Sequence, residues 1–346
     1  MSEMVERYSR QILFAPIGEE GQRRIADSTA VVVGCGALGS VSASCLARAG
    51  VGRLRLVDRD ILELSNLQRQ FLYDEDDVRS MKPKAVAAAQ ALSRANPSIT
   101  IEPVVADVGP ETVVDLVRGA DLILDGTDNF ETRFLLNEVS VRHGIPWIYA
   151  ACLGGYGLTM NVLPGDTACL RCVMESAPPP GSVPTCDTAG ILGPVVAVVA
   201  GLQSVEALKY LSGNVEAMSR DLVSVDTWTG SFTRLEVPRG GGRRRCETCD
   251  GLEFPYLSGR GSRSTVLCGR NSVQVLPVAA VDLNLVDLAD RLRSHPAGLE
   301  VEASRFLVRF RADALQVSVF PDGRAIVTGT KDLAAARGVY ARYVGA

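Results

Sequence analysis

The sequence predicts an α/β fold: a doubly wound, mostly parallel sheet with antiparallel additions, followed by a small α+β module. Three observations predict it. Short apolar runs alternate with helical stretches between residues 29 and 153, the signature of parallel strands joined by crossover helices. A turn with Gly34, Gly36 and Gly39 links the first run to a helix. Two Cys-x-x-Cys knuckles, Cys169/Cys172 and Cys246/Cys249, lie 73 residues apart and predict a structural four-cysteine zinc site that ties two distant segments together.

The elements follow in order. Residues 7–24 (RYSRQILFAPIGEEGQRR) read as a charged helical arm. Val31, Val32 and Val33 form a buried strand, the glycine turn opens a helix, and a second strand ends at Asp58. A polar stretch, LELSNLQRQFLYDEDD, has little strand character. The alanine-rich run from Lys84 to Ala95 is a helix begun by Pro83. Strands at 99–106 and 122–126 flank a helix at 110–118; a helix at 129–144 and a strand at 146–153 follow. Runs at 157–164, 222–227 and 232–237 read as antiparallel additions. Between them lies a Pro/Gly/Ser loop, 174–189, leading into the apolar helix 191–211, where Pro194, Glu206 and Lys209 argue for a buried helix over a membrane span. The composition changes near 250, dividing the chain into 1–250 and 251–346. A turn-rich stretch, 253–264, precedes a strand at 272–277, a helix at 283–294, three strands within 299–328 and a last helix at 332–343.

Composition narrows the function. The net charge of −4, from 36 basic and 40 acidic residues, offers no basic field for nucleic acid. The first residues, MSEMVERYSR, carry no apolar signal region, and nine cysteines in such a chain suggest reduced thiols and metal ligation in the cytoplasm. Two histidines, His143 and His295, leave a histidine-based mechanism poorly supplied. Cys35, Cys45 and Cys152 sit on apolar elements as packing residues, and Trp147 and Trp228 read as core or interface aromatics.

The glycine turn suits a nucleotide, because glycines let backbone approach a phosphate at a helix start. Asp58 lies 19 residues beyond Gly39, close to the spacing at which an acid meets a ribose hydroxyl. Asn66, Gln68 and Arg69 follow where a dehydrogenase would continue into a crossover helix. Lys84 opens the next helix, and Asp128–Asn129 follow a strand end. Cations for phosphate oxygens and a carboxylate for a hard metal suit a triphosphate with Mg²⁺.

RYSRQI, GCGALGS, LVDRD, LSNLQRQFL, KPKA, LDGTDNFETRFLLN and the two knuckles together resemble the ubiquitin-activating-enzyme-like adenylyltransferases. Within that family they are most similar to the bacterial enzymes that activate sulfur carriers for molybdopterin and thiazole biosynthesis. The resemblance spans residues 5–250. It implies that ATP adenylates the C-terminal glycine of a small ubiquitin-like carrier ending in Gly-Gly, with release of pyrophosphate. It implies that Gly36 belongs to the nucleotide loop and Asp58 to the ribose contact, with Asp60 and Asn129 beside them. Asn66, Arg69 and Lys84 would hold the phosphates and Asp128 the Mg²⁺. Arg10 matches an arginine that crosses from the other subunit, which implies a homodimer. Cys186, in VPTCDTAG, aligns with a loop cysteine that forms a covalent sulfur intermediate in some members, so a cysteine desulfurase or rhodanese is a candidate sulfur donor. One departure is Met81-Lys82-Pro83-Lys84, where the family usually has a glycine before the basic segment, so Lys82 competes with Lys84 for the phosphate role. Cys268 is an alternative relay cysteine. Competing readings are a tRNA-modifying adenylating dehydratase of the same superfamily, a nicotinamide-dependent oxidoreductase, and a non-catalytic scaffold that binds the carrier.

Overall fold

The computed structural model describes residues 3–178, 189–242, 245–259, 266–267, 271–277, 282–312 and 314–344; Cys186 and Cys268 lie outside them. An eight-stranded sheet runs in the order β3-β2-β1-β4-β5-β6-β7-β8. Its parallel part is β1 (Thr29–Val33), β2 (Arg53–Val57), β3 (Thr100–Val104), β4 (Leu122–Asp125) and β5 (Trp147–Leu153). β6 (Tyr156–Val162), β7 (Leu222–Asp226) and β8 (Ser231–Leu235) extend it antiparallel. β1 pairs with both β2 and β4, so the winding reverses there and a crevice opens beyond its carboxyl end.

Alternation along β1 divides its side chains between the two faces of the sheet. Ala30 and Val32 face a core built with α3 (Ala37–Ala49), α5 (Lys84–Ala95) and α9 (Gly193–Leu211). Val31 and Val33 face α6 (Val113–Leu116) and α7 (Phe130–His143). α9 is long and apolar enough to cross a membrane, but here it packs on α3, β5 and β6. Its buried Gln203 is satisfied on all sides. It donates to the carbonyls of Asp125 and Ile148 at 2.9 Å each and accepts from Ser42 Oγ at 2.6 Å.

The predicted single arm is two helices, α1 (Glu3–Ile12) and α2 (Gly18–Asp27), broken beside Pro16. Tyr8 anchors α1: it is buried against Gly50, where a Cβ would come within 2.5 Å of the ring, and its hydroxyl accepts from Asn96 at 2.7 Å. Trp147 is fully buried, whereas Trp228 is 83% exposed and belongs to the surface.

The C-terminal module is a six-stranded sheet in the order β11-β12-β13-β14-β10-β9. Its strands are β9 (Val266–Leu267), β10 (Ser272–Val275), β11 (Glu300–Ala303), β12 (Val308–Ala312), β13 (Leu315–Val319) and β14 (Ala325–Thr328). Four strands therefore occupy the interval where three were expected. α10 (Leu285–Arg293) and α11 (Leu333–Tyr343) close over one shared core that includes Leu288, Phe310, Val317 and Tyr340.

Glu138 of α7 ties down the segment after the second knuckle, accepting the Leu257 backbone N–H at 2.9 Å. Burial pushes its carboxyl from 4.5 up to about 7. The folded chain therefore holds a proton between pH 4.5 and 7 that the unfolded chain has lost, so this group's contribution to stability falls as pH rises through that window and is lowest above it. Glu138→Gln keeps the acceptor and removes the charge. Its melting temperature should exceed wild type at pH 8 and converge with it at pH 4.5; an unchanged pH profile would show that Glu138 ionises freely.

Candidate functional site

The crevice is built on a contact that tolerates no side chain. Gly34 follows β1 at φ +87°, and a Cβ there would stand 2.6 Å from the Gly126 carbonyl oxygen. A Cβ on Gly39 would fall 1.8 Å from the Gly34 oxygen, and one on Gly126 would fall 2.1 Å from the same atom. Gly34, Gly39 and Gly126 thus lock the turn, the start of α3 and the end of β4 together. Gly36 is different: its Cβ direction is open, with the nearest atom, Gln70 Nε2, at 3.8 Å.

Asp58 fixes the opposite rim. Its two carboxylate oxygens accept the backbone N–H groups of Cys35 and Asp60, each at 2.7 Å. Burial pushes the carboxyl up from its ordinary value; the Lys84 ammonium and the two N–H donors pull against that rise. Each oxygen retains a lone pair for a further donor such as a ribose hydroxyl. Lys84, 3% exposed, reaches Asp60 Oδ2 at 3.0 Å. Lys82 instead pairs with Asp77 Oδ1 at 2.6 Å. Of the two lysines, Lys84 is the one whose ammonium faces the Asp58–Asp60 loop.

Asn66 is buried in a 3-10 turn, Leu64–Asn66, with its Oδ1 accepting from the Glu63 N–H at 3.1 Å. Arg69 is half-buried and donates to the Ser65 carbonyl at 2.9 Å. Asn129 caps α7, accepting from the Thr132 N–H at 2.9 Å, which commits its oxygen to the helix. Asp128, just before it, is exposed, and its charge bears on Arg59 and Arg133. Arg10 is exposed on the anchored α1.

Several contributors were not singled out from the sequence. Beneath Asp128, the buried Arg133 reaches Asp125 Oδ2 at 3.3 Å and the Thr127 carbonyl at 2.7 Å, holding the loop between β4 and α7. Gly126 carried only the signal of a glycine at a strand end. Gln70 is buried beside Gly36, and among the described residues its Oε1 has no hydrogen-bond partner. An open glycine turn beside an orphaned buried acceptor fits a polar ligand lying across the turn, as a nucleotide would.

A second site lies on the other face. Cys169, which precedes α8 (Leu170–Val173), Cys172, Cys246 and Cys249 bring their sulfurs within 4.8 Å of one another. The closest pairs stand at 3.6, 3.7 and 3.9 Å. Thiolates about 2.3 Å from a tetrahedral ion stand about 3.8 Å apart, so the cluster has the dimensions of a closed, four-thiolate metal site. Hydrogen bonds from Cys169 and Cys249, and from the Gly240 N–H at 3.2 Å, favour the thiolate at Cys172. Asn137 Oδ1 accepts the Leu170 N–H at 2.7 Å and fixes the first knuckle to α7. Cys35 is buried in the first core, and Cys152 packs beside α9, as expected of packing residues.

Comparison with known proteins follows this geometry. The ThiF family pattern matches residues 8–247. The sulfur carrier protein ThiS adenylyltransferase of Bacillus subtilis is 45% identical over 344 residues, 99% of this chain and 100% of that one. The SAMP-activating enzyme E1 of Haloferax volcanii is 42% identical over 228 residues, covering 66% of this chain and 83% of its own. Among solved structures, E. coli MccB crystallised with ATP superposes with a TM-score of 0.61 at 24% identity, over 69% of this chain and 74% of that one, a likeness of fold.

Elemental analysis should find one divalent ion per chain. Cys172→Ser should lose it and lower the melting temperature, by far less than the roughly 10–16 kcal/mol that metal contributes to an isolated zinc-finger peptide, because a large core folds beside the site. Stoichiometric metal in a Cys169→Ser/Cys249→Ser double variant would strike these residues from the ligand set.

Proposed function

This chain belongs to the ThiF family, and on that premise we propose that it is an ATP-dependent adenylyltransferase that activates the C-terminal Gly-Gly carboxylate of a ubiquitin-like sulfur carrier. The observation that supports the reading is the meeting of Asp58 and Lys84 at the Asp58–Asp60 loop beside an open glycine turn, where the sheet's winding reverses, with Asp128 two residues beyond the Gly126 that contacts that turn.

The reaction needs no histidine. The carrier's carboxylate is already a nucleophile at neutral pH and attacks the α-phosphorus of ATP, displacing pyrophosphate. The protein has to align the two anions and neutralise charge as it develops. Asp58 receives the ribose hydroxyls on its free lone pairs. Lys84 and Arg69, with Asn66, face the phosphate oxygens. Asp128, exposed beyond β4, offers a hard oxygen for Mg²⁺, which when bound supplies further charge neutralisation at the phosphates. Adenylation uses no thiol, so Cys186 is reserved for a later transfer of sulfur, from a desulfurase or rhodanese donor.

The four-thiol site takes zinc by this reading, since a closed sulfur tetrahedron is zinc's usual structural coordination. Reduced thiols support a cytoplasmic setting. Residues 1–250 are the adenylating unit and 251–346 an appended one, a division supported by their separate sheets and cores. A homodimer is supported by apolar side chains left on the surface, among them Leu13, Phe14, Val198, Val205 and Phe232.

Labelled pyrophosphate should exchange into ATP only when a Gly-Gly carrier and Mg²⁺ are both present. Asp128→Ala should cut that exchange by about two to three orders of magnitude with the fold intact. Exchange at the wild-type rate in the variant would remove Asp128 from the role. Mixing Arg10→Ala with Asp128→Ala subunits tests whether Arg10 acts across the dimer: each heterodimer should regain one competent site, and no recovery after verified subunit exchange would confine Arg10 to its own chain.

A further inference from the structure

The C-terminal module touches the first sheet at the loop that carries the ribose-side carboxylate. The hairpin between β13 and β14 turns tightly at 320–324, closed by Phe320 N–H to the Arg324 carbonyl at 2.8 Å. It is braced from behind by Tyr340, whose hydroxyl donates to the Gly323 carbonyl at 2.7 Å. The turn presents Arg324, which is 2% exposed. Its guanidinium lies over the Phe320 ring, with Cζ 3.9 Å from the centroid, and Nη1 donates to the Arg59 carbonyl at 3.1 Å. Nε lies 3.6 Å from Asp322 Oδ2 in an ion pair within the turn, and among the described residues Nε and Nη2 make no hydrogen bond, so the Arg59 carbonyl is the guanidinium's hydrogen-bond acceptor.

Two more contacts converge on the same loop. The Arg59 side chain pairs with Asp107 Oδ1 at 2.6 Å, and the other Asp107 oxygen accepts from Gln274 of β10 at 2.8 Å. Ile61 is buried with Leu307 and Phe320 of the module, and Met81 and Ile326 pack against them. Met81 adopts φ +48°, a backbone that favours glycine. Its side chain nonetheless gains a place in the apolar seam, and the strand of backbone it starts leads to Lys82 and Lys84. The loop is also fixed from within: the Asp60 N–H donates to Asp58, the Leu62 N–H to the Lys82 carbonyl at 3.1 Å, and the Lys84 N–H to the Asp60 carbonyl at 2.9 Å.

We infer that the C-terminal module is a brace for the nucleotide site, with Arg324 the positioning residue that fixes the Asp58–Asp60 loop for ATP through the Arg59 carbonyl. The inference rests on the adenylation reading for the identity of the nucleotide, not for the brace itself. Arg324 never touches substrate. It acts by holding two carboxylates whose rotation would move both the ribose contact and the partner of Lys84, so its loss should appear in ATP affinity and not in turnover once ATP saturates.

The test uses the full chain. Arg324→Met keeps the bulk over Phe320 and removes the donor; Arg324→Lys keeps a cation. Val317→Ala, buried in the module's core away from the contact, controls for destabilisation alone. By calorimetric titration with Mg·ATP, Arg324→Met should bind about three- to tenfold more weakly, the scale of one lost buried hydrogen bond. The KM for ATP in pyrophosphate exchange should rise in step, while kcat and the KM for the carrier stay put. Arg324→Lys should recover most of the affinity, and Val317→Ala should lower the melting temperature without weakening ATP. In the nucleotide-free protein, hydrogen exchange at the Asp60 and Leu62 amides should quicken in Arg324→Met. Unchanged ATP affinity and unchanged exchange in Arg324→Met would overturn the brace, and so would equal weakening by Val317→Ala. A wild-type chain that binds no ATP would sink the adenylation reading, and the amide exchange would still decide the brace.

Discussion

Three glycines in mutual contact set the geometry on which the rest of this structure depends. The Gly34 oxygen sits where a side chain on either Gly39 or Gly126 would have to go, so β1, α3 and β4 approach more closely than any other residue allows. That approach places the start of α3 over the end of β1 and brings the loop after β4 alongside. Asp58 then seals the arrangement with two backbone N–H groups, one from the glycine turn and one from its own loop. Even the buried Gln203 serves the same junction, since it holds α9 to the carbonyls of Asp125 and Ile148, at β4 and β5. The site is thus a property of backbone packing first and of charged side chains second.

The central strands β1 and β4 were legible because they are short, apolar and bounded by turn residues, and because burial on both faces leaves them almost no alternative conformation; the edge strand β3, with no buried residue, was marked mainly by its place between two helices. The glycine turn and the four knuckle cysteines were legible because each carries a local pattern at a fixed spacing; the choice between Lys82 and Lys84 was open in the sequence and turns on which ammonium meets Asp60 in the fold. The misses have physical causes. The arm divides at 13–17, where only Pro16 marks a break in otherwise continuous helical character. β12 and β13 merge in the sequence because two residues separate them and neither is glycine or proline. Arg133 carries no local pattern of its own on α7, and only the folded chain brings Asp125, the Thr127 carbonyl and the Tyr149 ring around it. Arg59 and Arg324 matter through partners far away in the chain, which no spacing rule encodes.

Charge near the crevice is arranged so that few groups stand alone. Lys84 meets Asp60, Lys82 meets Asp77 and Arg59 meets Asp107. Pairing offsets the desolvation cost of these cations, which is largest at Lys84, whose side chain is 4% exposed. The four-cysteine cluster has a different task. It joins α8 to the stretch after β8, and Asn137 and Glu138 of α7 grip both sides of that junction. The cysteine cluster and the helix therefore secure the face of the sheet opposite α3, α5 and α9.

Met81 ties the two parts of the chain together. Its backbone at φ +48° favours glycine, and the contact of its side chain with Ile61, Leu307 and Phe320 offsets part of that cost. Taking the module away would leave the unfavourable backbone in place and strip the side chain of two apolar neighbours. The stabilities of the two sheets are therefore coupled through one residue that immediately precedes Lys82 and leads on to Lys84.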